Sequence, residues 1–125
     1  FFLCPDKKMS VPEVENPIDL SIMYMRSNID KSMSVEDLAK QLQYSCSHYT
    51  TLFKKKTGLA PIEYFIRMKI HYACQLLSQS DLKIKNITDK IGYDDSFYFS
   101  RLFKKITGKS PKEYRRSVTD KKTED

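Results

Sequence analysis

The chain has 125 residues, of which 40% are hydrophobic, 12% aromatic and 30% charged, enough for a packed core beneath a hydrated surface. Three Gly and five Pro are too few turn residues for an all-β domain of this length, which leaves helices. The net charge of +6 is unevenly spread: residues 45–116 hold 15 Lys or Arg against 6 Asp or Glu, a balance of +9, whereas residues 1–44 hold 5 against 7, the footprint of a polyanion partner.

Residues 1–16, with two prolines and mixed charge, read as a linker, and a start on Phe1 in place of Met suggests a fragment whose N-terminal part is missing. Ile18, Ile22, Met25 and Ile29 then share one helical face. Ser34 with Asp37 three residues on makes a box-like helix start, followed by Val35, Leu38, Ala39 and Leu42 at helical spacing. A turn at Gln43–Ser45 leads into a longer helix, about 45–57, whose apolar stripe is Tyr49, Leu52 and Phe53. Gly58 follows its lysine-rich last turn as a left-handed cap. Two helices joined by a short turn make residues 17–58 a first helix-turn-helix subdomain.

Residues 59–79 carry Ile62, Phe65, Ile66, Ile70, Ala73, Cys74 and Leu77 on one stripe behind a first-turn proline, Pro61, which describes a connecting helix. Its length, roughly 27 Å at ~1.5 Å per residue, is comparable with the ~34 Å between successive major grooves on one face of DNA.

The second subdomain, 80–117, repeats the first. Leu52-Phe53-Lys54-Lys55-Lys56-Thr57-Gly58 returns as Leu102-Phe103-Lys104-Lys105-Ile106-Thr107-Gly108, and Pro61, Glu63 and Tyr64 return as Pro111, Glu113 and Tyr114, all at an offset of 50. Upstream, Val35, Leu38, Leu42 and Tyr44 match Ile84, Ile87, Ile91 and Tyr93 at an offset of 49, so the second copy has one extra residue in its turn, Gly92–Asp94. Its second helix spans about 95–107, with Phe99, Leu102 and Phe103 inward. Ser110-Pro111-Lys112-Glu113 is a capped start for a last helix, whereas the first copy has Ala60 where the second has Ser110 and so lacks a side-chain acceptor there. Residues 118–125 read as a flexible tail. The expected fold class is all-α: two helix-turn-helix subdomains joined by a long connecting helix, about seven helices in all.

A helical hairpin is by itself scaffolding; the outward surface of each second helix points further. In the first copy it shows Ser47, Thr50 and Thr51, in the second Ser96, Phe97, Ser100 and Arg101. Short hydroxyls and an arginine suit base edges, and the lysines that end each helix suit flanking phosphates. A helical RNA-binding or protein-docking module is the alternative; it calls for aromatic platforms, and only Phe97 and Tyr98 are placed outward. His48 and His71 lie on separate helices without a helpfully spaced carboxylate, so no catalytic residues and no enzyme are expected. Cys4, Cys46 and Cys74 form no close pair, which argues against a disulfide framework or zinc finger and for a reducing compartment. No metal, cofactor or phosphate-binding glycine loop is expected, and no stretch approaches the ~20 apolar residues of a membrane span, so no membrane contact is expected either.

Residues 34–116 resemble the paired helix-turn-helix domain of AraC/XylS-type bacterial transcription regulators. The resemblance is sharpest from Ile87 to Arg115, through Ile91-Gly92-Tyr93-Asp94-Asp95, Phe97-Tyr98-Phe99-Ser100-Arg101-Leu102-Phe103-Lys104-Lys105, Gly108 and Ser110-Pro111-Lys112-Glu113-Tyr114-Arg115. The first copy is similar through Leu38-Ala39, Tyr44-Ser45, Leu52-Phe53-Lys54-Lys55 and Gly58. The resemblance implies sequence-specific binding of double-stranded DNA by a transcription regulator, an activator, with its two recognition helices in successive major grooves. It places base contacts on Ser47, Thr50, Thr51, Ser96, Phe97 and Arg101, and backbone contacts on Cys46, His48, Lys54, Lys55, Tyr98, Ser100, Lys104 and Lys105. Arg101 is the leading candidate, through a two-bond contact to guanine; its alternative is a phosphate contact or an ion pair with Asp94 or Asp95. Lys69 departs from the pattern, standing where many members carry arginine. The resemblance further implies RNA polymerase and a separate sensor or effector-binding portion as partners, and a cytoplasmic, DNA-associated location.

Overall fold

A computed structural model describes residues 16–124, with side chains to residue 119. The expected linker, save Asn16, lies outside the described residues. Within them are seven helices and no strand: α1 (Pro17–Ser27), α2 (Val35–Gln41), α3 (Cys46–Thr57), α4 (Pro61–Gln79), α5 (Ile84–Lys90), α6 (Ser96–Thr107) and α7 (Pro111–Glu124). The backbone of 118–124, read from the sequence as a tail, is thus helical. The chain divides into two compact units, one built from residues up to Asn28 with Met33–Tyr64, the other from Ile29–Ser32 with Phe65 onwards. The boundary between Tyr64 and Phe65 falls inside α4. No helix among the described residues is long and apolar enough to cross a membrane.

In the first unit, Asn16 caps α1 by accepting from the Ile18 amide, and Ser34 and Asp37 form the reciprocal capping box at the start of α2. Ile18, Met25, Leu38, Ala39, Tyr49 and Phe53 are buried. The Tyr49 hydroxyl would be orphaned in such a core, and the equally buried Ser21 hydroxyl of α1 bonds it, fixing α1 against α3. Rings of Tyr49, Phe53 and Tyr64 meet edge to face down this core.

In the second unit, Ile70, Ala73 and Leu77 of α4 pack with Ile87, Ile91, Phe99 and Phe103 as the buried core. Lys83, the residue before α5, makes no side-chain cap bond, so the capping advantage of the second copy at α7 is reversed at its first helix. Arg115 of α7 reaches back to the C-terminal end of α4, donating from Nε to the Leu77 carbonyl at 3.1 Å and from Nη2 to that of Ser80 at 3.2 Å. Those carbonyls lack helical partners, and a guanidinium meets both and opposes the negative end of the helix.

Among the described residues the most buried cation is Lys69 of α4, only 4% exposed in the apolar stripe. Its ammonium donates to the carbonyls of Ile29, Lys31 and Ile91, each at 2.7 Å, and lies 4.5 Å from the centre of the Phe65 ring. Three donors meet three acceptors, so backbone carbonyls hold the charge. The lysine takes a definite polar role where the sequence pattern left none assigned.

Candidate nucleic-acid interface

The two recognition helices are started, ended and oriented by the same devices. Ser45 Oγ accepts from the His48 amide ahead of α3, and Asp95 Oδ1 accepts from the amides of Phe97 (2.9 Å) and Tyr98 (3.4 Å) ahead of α6. Asp95, weighed from the sequence as an ion-pair partner of Arg101, therefore serves as the helix cap. Gly58 and Gly108 close the helices in left-handed conformation, φ 86° and 89°, as their positions in the repeat predict.

The repeated Thr57 and Thr107 anchor the chain as it leaves each helix. Each hydroxyl donates within its helix, to Phe53 or Phe103, and accepts from the amide two residues on, Leu59 or Lys109. The Thr-Gly pair stands in the sequence twice, but its side-chain role shows only in the geometry.

The turn between the helices is also duplicated. The Tyr44 amide donates to the Ala39 carbonyl and the Tyr93 amide to that of Thr88, both at 3.1 Å, and the preceding Gln43 and Gly92 both have positive φ, 59° and 82°. The extra residue of the second copy enters just after Tyr93, at Asp94. Tyr44 then meets His48 edge to face at 4.7 Å, and Tyr93 meets Tyr98 at 5.7 Å. These contacts orient the outer side chains at the start of each recognition helix. Burial pushes the Tyr93 hydroxyl up to about 12, with Tyr98 adding to the shift.

Of the expected contact residues, Ser47, His48, Thr51, Lys54 and Lys55 on α3 are exposed, and Cys46 and Thr50 are half-buried. The Thr51 hydroxyl donates to the Ser47 carbonyl at 2.9 Å, leaving lone pairs to accept from a ligand. On α6, Phe97 is 80% exposed and Tyr98 46%, Arg101, Lys104 and Lys105 are exposed, and Ser96 and Ser100 are half-buried. Phe97, Arg101 and Lys104 succeed one another by four and three residues, which puts them on one face, opposite the buried Phe99 and Phe103. The Phe97 ring thus stands in solvent on the same face as an arginine and a lysine.

The family described as a helix-turn-helix domain matches residues 38–117. Over 109 residues, 86% of the chain, the sequence is 42% identical to the MmsAB operon regulatory protein of Pseudomonas aeruginosa. Over 111 residues it is 30% identical to the arabinose operon regulatory protein of Escherichia coli. The chain belongs to the AraC/XylS-type helix-turn-helix family of transcription regulators. It spans 36% and 38% of the length of those two relatives. Among solved AraC-type folds, the C-terminal domain of AraT, a response regulator from Geobacillus stearothermophilus, superposes with a TM-score of 0.78 at 28% identity, over 81% of this chain and 84% of that one. The DNA-binding domain of AdpA, solved with a target DNA, shares the fold with a TM-score of 0.82 at 22% identity, over 88% of this chain and 99% of that one.

Proposed function

We propose that this AraC/XylS-type domain reads double-stranded DNA through the outward faces of α3 and α6, each lying in a major groove, with Arg101 as the main base-reading side chain. The observation that carries the reading is the face of α6 on which Phe97 stands 80% exposed beside Arg101, with Lys104 and Lys105 at the helix end. An arginine there can give two bonds to guanine O6 and N7, and an apolar ring can cover a thymine methyl. Ser96 lies at the start of the same helix. On α3 the corresponding contacts are Ser47, Thr50 and Thr51, short groups that suit water-bridged reading. Cys46, His48, Lys54, Lys55, Tyr98, Ser100, Lys104 and Lys105 contact the backbone in this reading. At 19 residues and ~1.5 Å per residue, α4 is about 28 Å long, a length suited to a chain that engages successive grooves.

The relatives named as operon regulatory proteins support a regulatory role; the protein proposed with it is a cytoplasmic, DNA-associated activator with an effector-binding portion and RNA polymerase as partners. The domain organisation proposed with it is a first reading unit at 17–58 and a second at 80–117, joined by the helix at 59–79.

The test compares two single variants on a set of duplexes differing at one position each. Arg101→Ala should remove discrimination at one base pair, worth about 1 to 3 kcal/mol. Lys105→Ala should weaken all duplexes alike and lower the salt dependence. Equal effects from the two variants would sink the assignment of Arg101.

A further inference from the structure

Where α6 ends, the surface of the second unit is hollow. Lys104, Gly108, Lys109, Glu113, Arg116 and Ser117 line a concavity of about 370 Å³. Three cations face one carboxylate, and that carboxylate is already engaged: Glu113 accepts from the Ser110 amide at 2.8 Å in the capping box of α7. The Ser110 bonds, with the charges of Lys104 and Arg116 adding, hold Glu113 below the usual carboxylate range, so it stays ionised and in place. The Lys109 ammonium is steadied by donating to Ser117 Oγ at 3.1 Å. The hollow therefore keeps a surplus of positive charge on side chains drawn from two elements and the loop between them.

Its position says what the charge is for. Phe97, Arg101, Lys104 and Gly108 follow at intervals of four, three and four, so the base-reading face of α6 runs straight into the hollow. At Gly108 a side chain would meet nothing within 4 Å, leaving the entrance open. An anion in the hollow would continue the line of groups that α6 presents to a groove. We infer that the hollow is a phosphodiester subsite in which Lys104, Lys109 and Arg116 hold one backbone phosphate at the edge of the groove that α6 enters. A phosphodiester offers two unesterified oxygens, which suit an arginine fork and a pair of ammonium groups. Lys109 and Arg116 are thereby added to the contacts expected of the recognition helix itself. The inference rests on the DNA-reading role of α6, and the alternative occupant is an acidic segment of a partner protein.

The test is the Lys109→Gln, Arg116→Gln double variant of the whole chain, with Lys109→Gln alone as a second variant should the double one not fold. Affinity is measured across a salt series for a selected duplex and for an unrelated duplex of equal length. The subsite predicts that both affinities fall by the same factor, roughly tenfold, and that the salt slope shrinks by about 0.9, the loss of one phosphate contact. Unchanged affinity and slope on both duplexes would overturn it in favour of the acidic partner, and a loss confined to the selected duplex would overturn it in favour of base reading. Failure of the α6 reading is separable: Arg101→Ala would then leave sequence preference intact, while the double variant would still lower the slope if the subsite exists.

Discussion

The Lys69 ammonium donates to the Ile91 carbonyl at 2.7 Å, joining the middle of α4 to the residue that ends α5 and opens the turn into α6. With its bonds to Ile29 and Lys31, this one side chain fixes a backbone segment, a helix and a turn of the second unit together. Lys69→Met fills the space but leaves three carbonyls without their donor. Such groups cost about 1 to 3 kcal/mol each when buried, partly relieved by water, so the variant should lose about 2 to 4 kcal/mol. Urea unfolding followed by helical circular dichroism measures the loss, and a variant within roughly 0.5 kcal/mol of the parent, the scatter of surface substitutions, would deny the clamp.

Burial pushes the Lys69 ammonium down to about 8, with the charge of Asp30 pulling the other way. Unfolded lysine titrates near about 10.4, so between about pH 8 and 10.4 the unfolded chain binds more protons at this site than the folded one. The Lys69 contribution to stability should rise with pH across that window, and the gap between parent and Lys69→Met should widen. Tyr93, raised to about 12, works in the opposite sense above about pH 10, and the Lys69 ammonium lies 5.6 Å from the centre of its ring, so the comparison is made below that pH. A gap that narrows from about pH 8 to 10 would put the folded value above the ordinary one.

Gly92 has φ 82°, and a Cβ there would stand 2.5 Å from the Asp30 carbonyl oxygen. Gly58 has φ 86° and open space around it. Alanine at either position bears the left-handed conformation, about 1 kcal/mol, but only at 92 must the backbone of Ile29–Ser32 also shift. Gly92→Ala should therefore lower the melting temperature clearly more than Gly58→Ala, and equal shifts would argue against the close approach.

The start of α5 is uncapped, since Lys83 offers no side-chain acceptor. Lys83→Asp supplies one and places a negative charge at the positive end of the helix, and it should stabilise by about 0.5 to 1 kcal/mol. Ser34→Ala at the matching position of the first copy should cost about 1 kcal/mol, because it removes half of a formed capping box. Thermal melts of the two variants should move in opposite directions.

Helix positions, the repeat and the caps at Ser34, Gly58, Gly108 and Ser110 were readable because they rest on local rules, whereas Asp95 was read as an ion-pair partner and caps α6. Apolar spacing alone locates Leu38, Tyr49, Phe53 and their second-copy partners, and Gly58 and Gly108 mark the helix ends by residue type and position. The duplicated Leu-Phe-Lys-Lys and Thr-Gly pieces made the second unit a check on the first. Roles that depend on distant backbone were not readable. Nothing beside Lys69 in the sequence shows that the carbonyls of Ile29, Lys31 and Ile91 converge on it, although a lysine inside an apolar stripe is a signal of some buried polar role. Arg115 stood in the motif, but its partners, Leu77 and Ser80, lie 38 and 35 residues away. The hollow beside α6 likewise needs the turn at Gly108 to fold α7 back toward Lys104.

Selection of bound sequences from a randomised duplex pool, run in parallel with the parent chain and with Arg101→Ala, tests the proposed base reading by α6. Base reading by Arg101 predicts that the parent enriches a defined site and that the variant loses preference at one position, a guanine, while keeping the rest. An identical enriched site in both selections would contradict it.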